Sequence, residues 1–208
     1  GETLRVRLVL LGHGISYVPF YVYAFDQLAG YGLERNRGLL HLQRMTDAFT
    51  GDCLYIRQDK TLQQKPVIRD LADLQDQNHA QQITLTFESP TKILHHNKPV
   101  KRLEPEIFIR RLLGRASLLA SEHTDTPWTL NFKEVIQSFV QHVRFVSDDL
   151  QFHTIKPYSA RQKQTQILKG FTGRVVYSGD LQPYMPLIRL GSYIHIGNST
   201  SRGLGKYS

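Results

Sequence analysis

The segment HIGNSTSRGLGKY, residues 195–207, sets Gly197, Gly203 and Gly205 among Asn198, Ser199, Thr200, Ser201, Arg202 and Lys206, with no acid in the stretch. Residues of these types can hold an anion. Glycine reaches positive φ and puts no side chain between peptide and ligand, so main-chain N–H groups can converge on a phosphate. Arg202 offers a planar fork and Lys206 a point charge, and the hydroxyls and amide can bond phosphate or ribose oxygens. A structural reading stays open beside this one, in which the glycines serve a tight turn and Gly197 stops a helix.

Proton transfer near neutral pH calls for histidine, of which the chain has nine. His13 follows an apolar run and His41 follows the first glycine-rich loop; these two are the candidate bases, each weighed against a solvent-facing or satisfied role. His195 opens the terminal loop and reads as structural. No two histidines stand four apart, so the helical metal pair is missing from the pattern. The single cysteine, Cys53, makes no internal disulfide and there is no Cys-x-x-Cys, which suits a reducing cytoplasm.

The 208 residues carry a formal net charge of +8, distributed unevenly. From Leu150 to the end Asp180 is the only acid, against Lys156, Arg161, Lys163, Lys169, Arg174, Arg189, Arg202 and Lys206. A positive face of this kind attracts a polyanion because phosphate neutralisation releases counterions, so nucleic acid is the leading partner class. Within this stretch KPYSARQKQTQILKG is basic, polar and broken by Pro157, a loop in which Lys156, Arg161 and Lys163 could grip RNA or simply be solvated. Arg110, Arg111 and Arg115 read as the solvated side of a helix. No apolar run approaches the roughly 18 residues that cross a bilayer, so no membrane partner is expected.

The elements that must position these residues show an internal repeat. A shift of 167 positions sets Arg7 on Arg174, Gly12 on Gly179, Tyr17 on Tyr184, Pro19 on Pro186, Gly30 on Gly197, Arg35 on Arg202 and Gly38 on Gly205. Each copy reads as strand, turn, proline-led helix, glycine-rich loop and strand: LRVRLVLLG then FYVYAFDQLA in the first, FTGRVVYSG then LIRLGSYI in the second. Ahead of the second copy, QQITLTFESP alternates as a strand. EPEIFIRRLLGRASLLA and NFKEVIQSFVQHV have helical apolar stripes, the latter with Asn131 and Glu134 at capping-box spacing, and LQFHTIK reads as a further strand. From about Gln82 to the end this is a ferredoxin-like βαββαβ unit with an extra helix. The fold class is therefore α+β, tandem ferredoxin-like units with the first incomplete. Residues 1–81 would form the carboxyl-terminal half of the first unit plus a linker, and residues 82–208 the second unit.

Taken together, GFTGRVVYSGD, PLIRLGSYIHIGNSTSRGLGKY and the upstream LTFESPTKI resemble the RAMP superfamily of CRISPR-associated proteins. Within it the likeness is to the endoribonuclease family (Cas six) that cuts the CRISPR precursor transcript inside its repeats. The resemblance implies paired RRM-like domains, each with a glycine-rich loop before its last strand. It further implies CRISPR repeat RNA as partner, with other CRISPR-associated proteins or a second copy as further candidates. No cofactor is implied: the expected reaction is metal-independent attack of a 2′-hydroxyl on the neighbouring phosphate, a histidine acting as base. That histidine commonly lies near the start of the first domain, upstream of Gly1 by the repeat arithmetic. A noncatalytic RNA-holding subunit of an interference complex is the alternative, and a structural domain with an incidental basic tail a third.

Overall fold

The structure is a computed structural model that describes residues 3–31, 41–75, 80–125, 128–155, 158–159, 164–165 and 168–208. The chain divides into two compact units, Gly1–Arg69 and Asp70–Ser208.

In the first unit a 3₁₀ turn, Gly12–Tyr17, leads into helix α1, Val18–Tyr31. Val18 and Val22, one turn apart, are buried. A short antiparallel ladder follows, β1 (Arg44–Thr46) with β2 (Cys53–Ile56). Its turn is built on Asp47, which is 5% exposed. The Asp47 carboxylate accepts from the N–H of Phe49 (2.7 Å), Thr50 (3.2 Å) and Val67 (2.7 Å). The expected first strand, LRVRLVLLG, is not a strand in the structure. A strand is defined by a neighbour that exchanges main-chain hydrogen bonds, and residues 3–11 belong to no ladder among the described residues. Leu4, Val6 and Leu8 are accordingly exposed.

The second unit follows the sequence pattern closely. Strand β3 (Gln82–Thr91) buries Leu85 and Phe87, alternate residues of a half-buried strand. A small hairpin follows, β4 (Leu94–His95) with β5 (Lys98–Pro99). Helix α2, Pro105–His123, starts on a proline and buries Phe108, Ile109, Leu112, Leu113 and Ala116. Helix α3, Phe132–His142, is capped by Asn131, whose side chain accepts from the Glu134 N–H at 3.4 Å. Its stripe is narrower than expected, with Ile136 and Phe139 buried and Val140 exposed.

Next come β6 (Val143–Asp148) and β7 (Gln151–Ile155), a two-residue pair β8 (Tyr158–Ser159) with β9 (Gln164–Thr165), and the long β10, Leu168–Gly179. β10 pairs with β3 on one side and with β6 and β7 on the other, all antiparallel. The ladder steps at Gly173, where Asp149 takes both the N–H and the guanidinium of Arg174 (Nε–Oδ2 2.9 Å). Helix α4, Met185–Ile194, leads to the final segment, which bonds to the free edge of β3: Ser208 N–H to Thr86 at 3.0 Å and Thr86 N–H back at 2.8 Å. Terminal segment, β3, β10, then β6 with β7 is the strand order of a ferredoxin-like unit, with α3 as the additional helix. Phe87, Phe108, Phe171, Tyr177 and Tyr207 fill the space between sheet and helices. Phe87 meets Phe171 edge-on at 5.2 Å and Phe108 meets Tyr207 at 5.9 Å, contacts worth about 0.5–1.5 kcal/mol each beyond area burial.

Candidate nucleic-acid interface

The glycine-rich loop has a buried base and an open crest. At the base Ile196 is fully buried, and its N–H bonds to the Gly205 carbonyl at 3.0 Å. Gly205 has φ +78°, and a Cβ there would lie 1.9 Å from the Ile196 carbonyl oxygen. Gly197, at φ +89°, would drive a Cβ to 2.5 Å from the Lys92 carbonyl oxygen. Both glycines therefore serve close main-chain packing. Tyr207 closes the base, 2% exposed, donating its hydroxyl to the Ile188 carbonyl at 2.6 Å, with burial raising its pKa.

The end of β3 grips this base along its length. The Ser89 hydroxyl accepts the Lys206 N–H at 2.8 Å, Pro90 O accepts the Gly205 N–H at 3.3 Å, and Lys92 O accepts the Asn198 N–H at 2.8 Å. The Lys206 ammonium pairs with the Glu88 carboxylate. The FESPTK run and the GLGKY run are thus two halves of one clasp.

On the crest, Ser199 takes the left-handed conformation (φ 62°) and Thr200–Arg202 form a single 3₁₀ turn. The N–H groups of Asn198, Arg202 and Gly203 are bonded to Lys92, Ser199 and Thr200, within or at the foot of the loop. Asn198, Ser201, Arg202 and Gly203 are exposed, and Ser199 and Thr200 half-buried. Gly203, at φ +80°, faces open space: a Cβ there would find no atom within 4 Å.

His195 stands at the joint between α4 and the loop, with φ 60°. Its Nδ1 lies 3.2 Å from the Leu204 carbonyl, which can only accept, so Nδ1 carries the proton. Burial, then the nearby Lys206 and Arg115 cations, hold its pKa below the usual value, against the Leu204 bond. The ring is therefore a neutral structural group near pH 7.

A model of the CRISPR-associated endoribonuclease Cas6 matches residues 85–207, the whole of this clasp and loop. The chain belongs to the Cas6 endoribonuclease family. A second model, described as an N-terminal domain, matches residues 1–67. Among solved structures, a Cas6 product complex superposes with TM-score 0.60 at 16% identity, covering 90% of this chain and 69% of that one. Thermus thermophilus Cas6 gives TM-score 0.51 at 17% identity, over 67% and 57%. A partial Cas6-RT-Cas1–Cas2 complex gives 0.59 at 14%, over 92% and 33%. These likenesses carry the fold. No curated protein matches the sequence.

For this Cas6 family member the sequence-derived candidates fall into three groups. Asn198, Ser199, Thr200, Ser201, Arg202 and Gly203 lie together on the crest, whereas Gly197, Gly205 and Lys206 belong to its base. The loop's own sequence holds no acid, but β3 brings Glu88, remote in sequence, onto Lys206. Lys156, Arg161 and Lys163 lie outside the described residues. His13 is exposed within the 3₁₀ turn of the first unit; His41 is exposed three residues before β1, not on the strand itself. Among the described residues no group of three or more His, Cys, Asp or Glu could hold a metal ion, and no helix is long and apolar enough to cross a membrane.

Two features are not visible in the sequence pattern. Ser89 and Glu88 clamp the loop, and exposed Arg111 and half-buried Arg115 hold main-chain carbonyls: Arg111 donates to the Leu94 carbonyl, and Arg115 Nε donates to the Ile194 carbonyl at 3.2 Å. A signal for the first lies in the joint occurrence of LTFESPT and GLGKY. Nothing in the helical spacing announces the second.

Proposed function

We propose that this chain binds CRISPR repeat RNA and takes part in its endonucleolytic cleavage without a metal ion. The single observation that supports this reading is the exposed crest Asn198–Gly203, standing on a buried base in the segment that matches Cas6 endoribonucleases. The Arg202 guanidinium and the crest hydroxyls offer phosphate and ribose contacts of the kind that position an RNA backbone.

In the proposed reaction a base takes the proton of a 2′-hydroxyl, and the 2′-oxygen attacks the adjacent phosphorus. The bond from phosphorus to the 5′-oxygen breaks, and the leaving oxygen takes up a proton. The upstream product ends in a 2′,3′-cyclic phosphate and the downstream product in a 5′-hydroxyl. His41 and His13 are the candidate bases within this chain; His195 is held neutral and anchored, so it positions the loop. Because a Cas6-RT-Cas1–Cas2 complex shares the fold, other CRISPR-associated proteins are proposed as further partners.

Incubation of end-labelled repeat RNA with the protein in EDTA tests the reading. A single cut leaving a cyclic phosphate supports cleavage, and its loss in His41→Ala or His13→Ala would identify the base. Tight retention without a cut would leave the RNA-holding subunit as the function, and absence of retention at low salt would overturn RNA binding altogether.

A further inference from the structure

The hairpin β4–β5 carries a feature that the loop does not explain. Its turn is made by His96 (φ 47°) and Asn97 (φ 60°), the left-handed pair that a tight two-residue hairpin needs. The rings of His95 and His96, both exposed, meet at 4.1 Å and 65°, so the hairpin presents a compact aromatic surface. Between it and α2 lies a cleft of about 260 Å³ lined by His95, Ile107, Arg110 and Arg111. Arg111 is anchored on the Leu94 carbonyl, and Arg110 by Glu106 through Nε at 2.9 Å and Nη2 at 2.8 Å. Lys98 stands exposed on the hairpin's second strand.

The elements that flank this cleft also bond to the foot of the glycine-rich loop. Lys92, two residues before the hairpin, bonds through its carbonyl to Asn198 at the foot of the crest. Arg115, one turn beyond Arg111, holds the Ile194 carbonyl where α4 enters the loop. Two cations and one imidazole line the cleft, with Lys98 and His96 exposed on the same hairpin; no acid lines it, and Glu106 offsets part of the Arg110 charge. Guanidinium forks match phosphate oxygens, and exposed aromatic rings accept unstacked bases of a single strand.

We propose that the cleft between the β4–β5 hairpin and α2 is a second RNA subsite. In it Arg110, Arg111 and Lys98 take the phosphodiester and the His95–His96 pair stacks on a base, extending the path of an RNA held at the Asn198–Gly203 crest. The proposal rests on the RNA-binding reading above, and its test separates the two. Fluorescence anisotropy with labelled repeat RNA is measured for the whole protein, for Arg202→Gln, and for the triple variant His95→Ala, Lys98→Gln, Arg110→Gln. Thermal melts of each check folding, and Arg111 is left intact because it braces the hairpin.

The triple variant is expected to melt like the parent, bind RNA about tenfold or more weakly, and lose about two from the slope of log affinity against log salt. A 4-thiouridine placed along the RNA should crosslink to the peptide containing His95 and His96. Weakening by Arg202→Gln, with the triple variant binding as the parent does and no crosslink to the hairpin, overturns this subsite alone. Failure of the parent protein to bind overturns both. A triple variant that loses acidic protein partners but keeps RNA affinity would also overturn it, making the cleft a protein-docking site.

Discussion

Two glycines of one loop differ in what they are for. Gly205 packs so closely that a methyl group would overlap the Ile196 carbonyl, while Gly203 faces open space at a similar positive φ. Gly205→Ala is therefore expected to cost about 2–4 kcal/mol, from strain plus overlap, and Gly203→Ala about 1–2 kcal/mol, from backbone strain alone. Urea titrations of the two variants check the difference; equal losses would contradict the assignment of Gly205 to the base. At the loop entrance, His195 has its folded pKa below the ordinary 6.5. The unfolded chain then binds a proton more readily, so the contribution of His195 to stability is intact above about pH 6.5 and is lost as pH falls below it. An NMR titration should find this ring protonating later than an unperturbed histidine as acid is added. Its replacement by Gln should flatten that part of the stability profile.

At the scale of elements, the hydrogen-bonded pieces of the second unit behave as the sequence pattern leads one to expect. β3 and β10 are legible because their alternation survives pairing with each other, and α3 because Asn131 and Glu134 announce its start. LRVRLVLLG is rich in Leu and Val yet joins no ladder among the described residues, since composition states a preference and a neighbour decides it. The terminal loop is legible as glycine-rich but not as a clasp, because Glu88, Ser89 and Pro90 reach it only through the fold of β3 onto the last residues. The β1–β2 turn depends likewise on a remote contact, Asp47 to the Val67 N–H. Burial pushes the Asp47 pKa up, but three N–H donors and the Arg69 charge outweigh it and leave the carboxyl below its usual value. Its stabilising contribution is present above about pH 3.8 and disappears as pH falls through the lowered folded value. Asp47→Ala should destabilise the first unit by about 1–3 kcal/mol, read by hydrogen exchange at Phe49 and Val67.

For the whole molecule, the excess of cations acts through the field it creates. The carboxyl-terminal 59 residues hold one acid against eight Lys and Arg, and the fold adds Arg115 of α2 to the foot of the same loop. Charge composition points to a polyanionic partner, but not to where it would lie, because the sequence does not show that Glu88 is brought onto Lys206. Association with RNA should therefore be strongly salt-dependent and should lose specific contacts when crest residues change. The most direct measurement is the affinity of the protein for CRISPR repeat RNA across a salt series, compared with Arg202→Gln. The account predicts nanomolar-to-micromolar binding that weakens steeply with salt, and a variant that binds more weakly with a slope shallower by about one. Binding that is indifferent to salt, or a variant with unchanged affinity and slope, would contradict it.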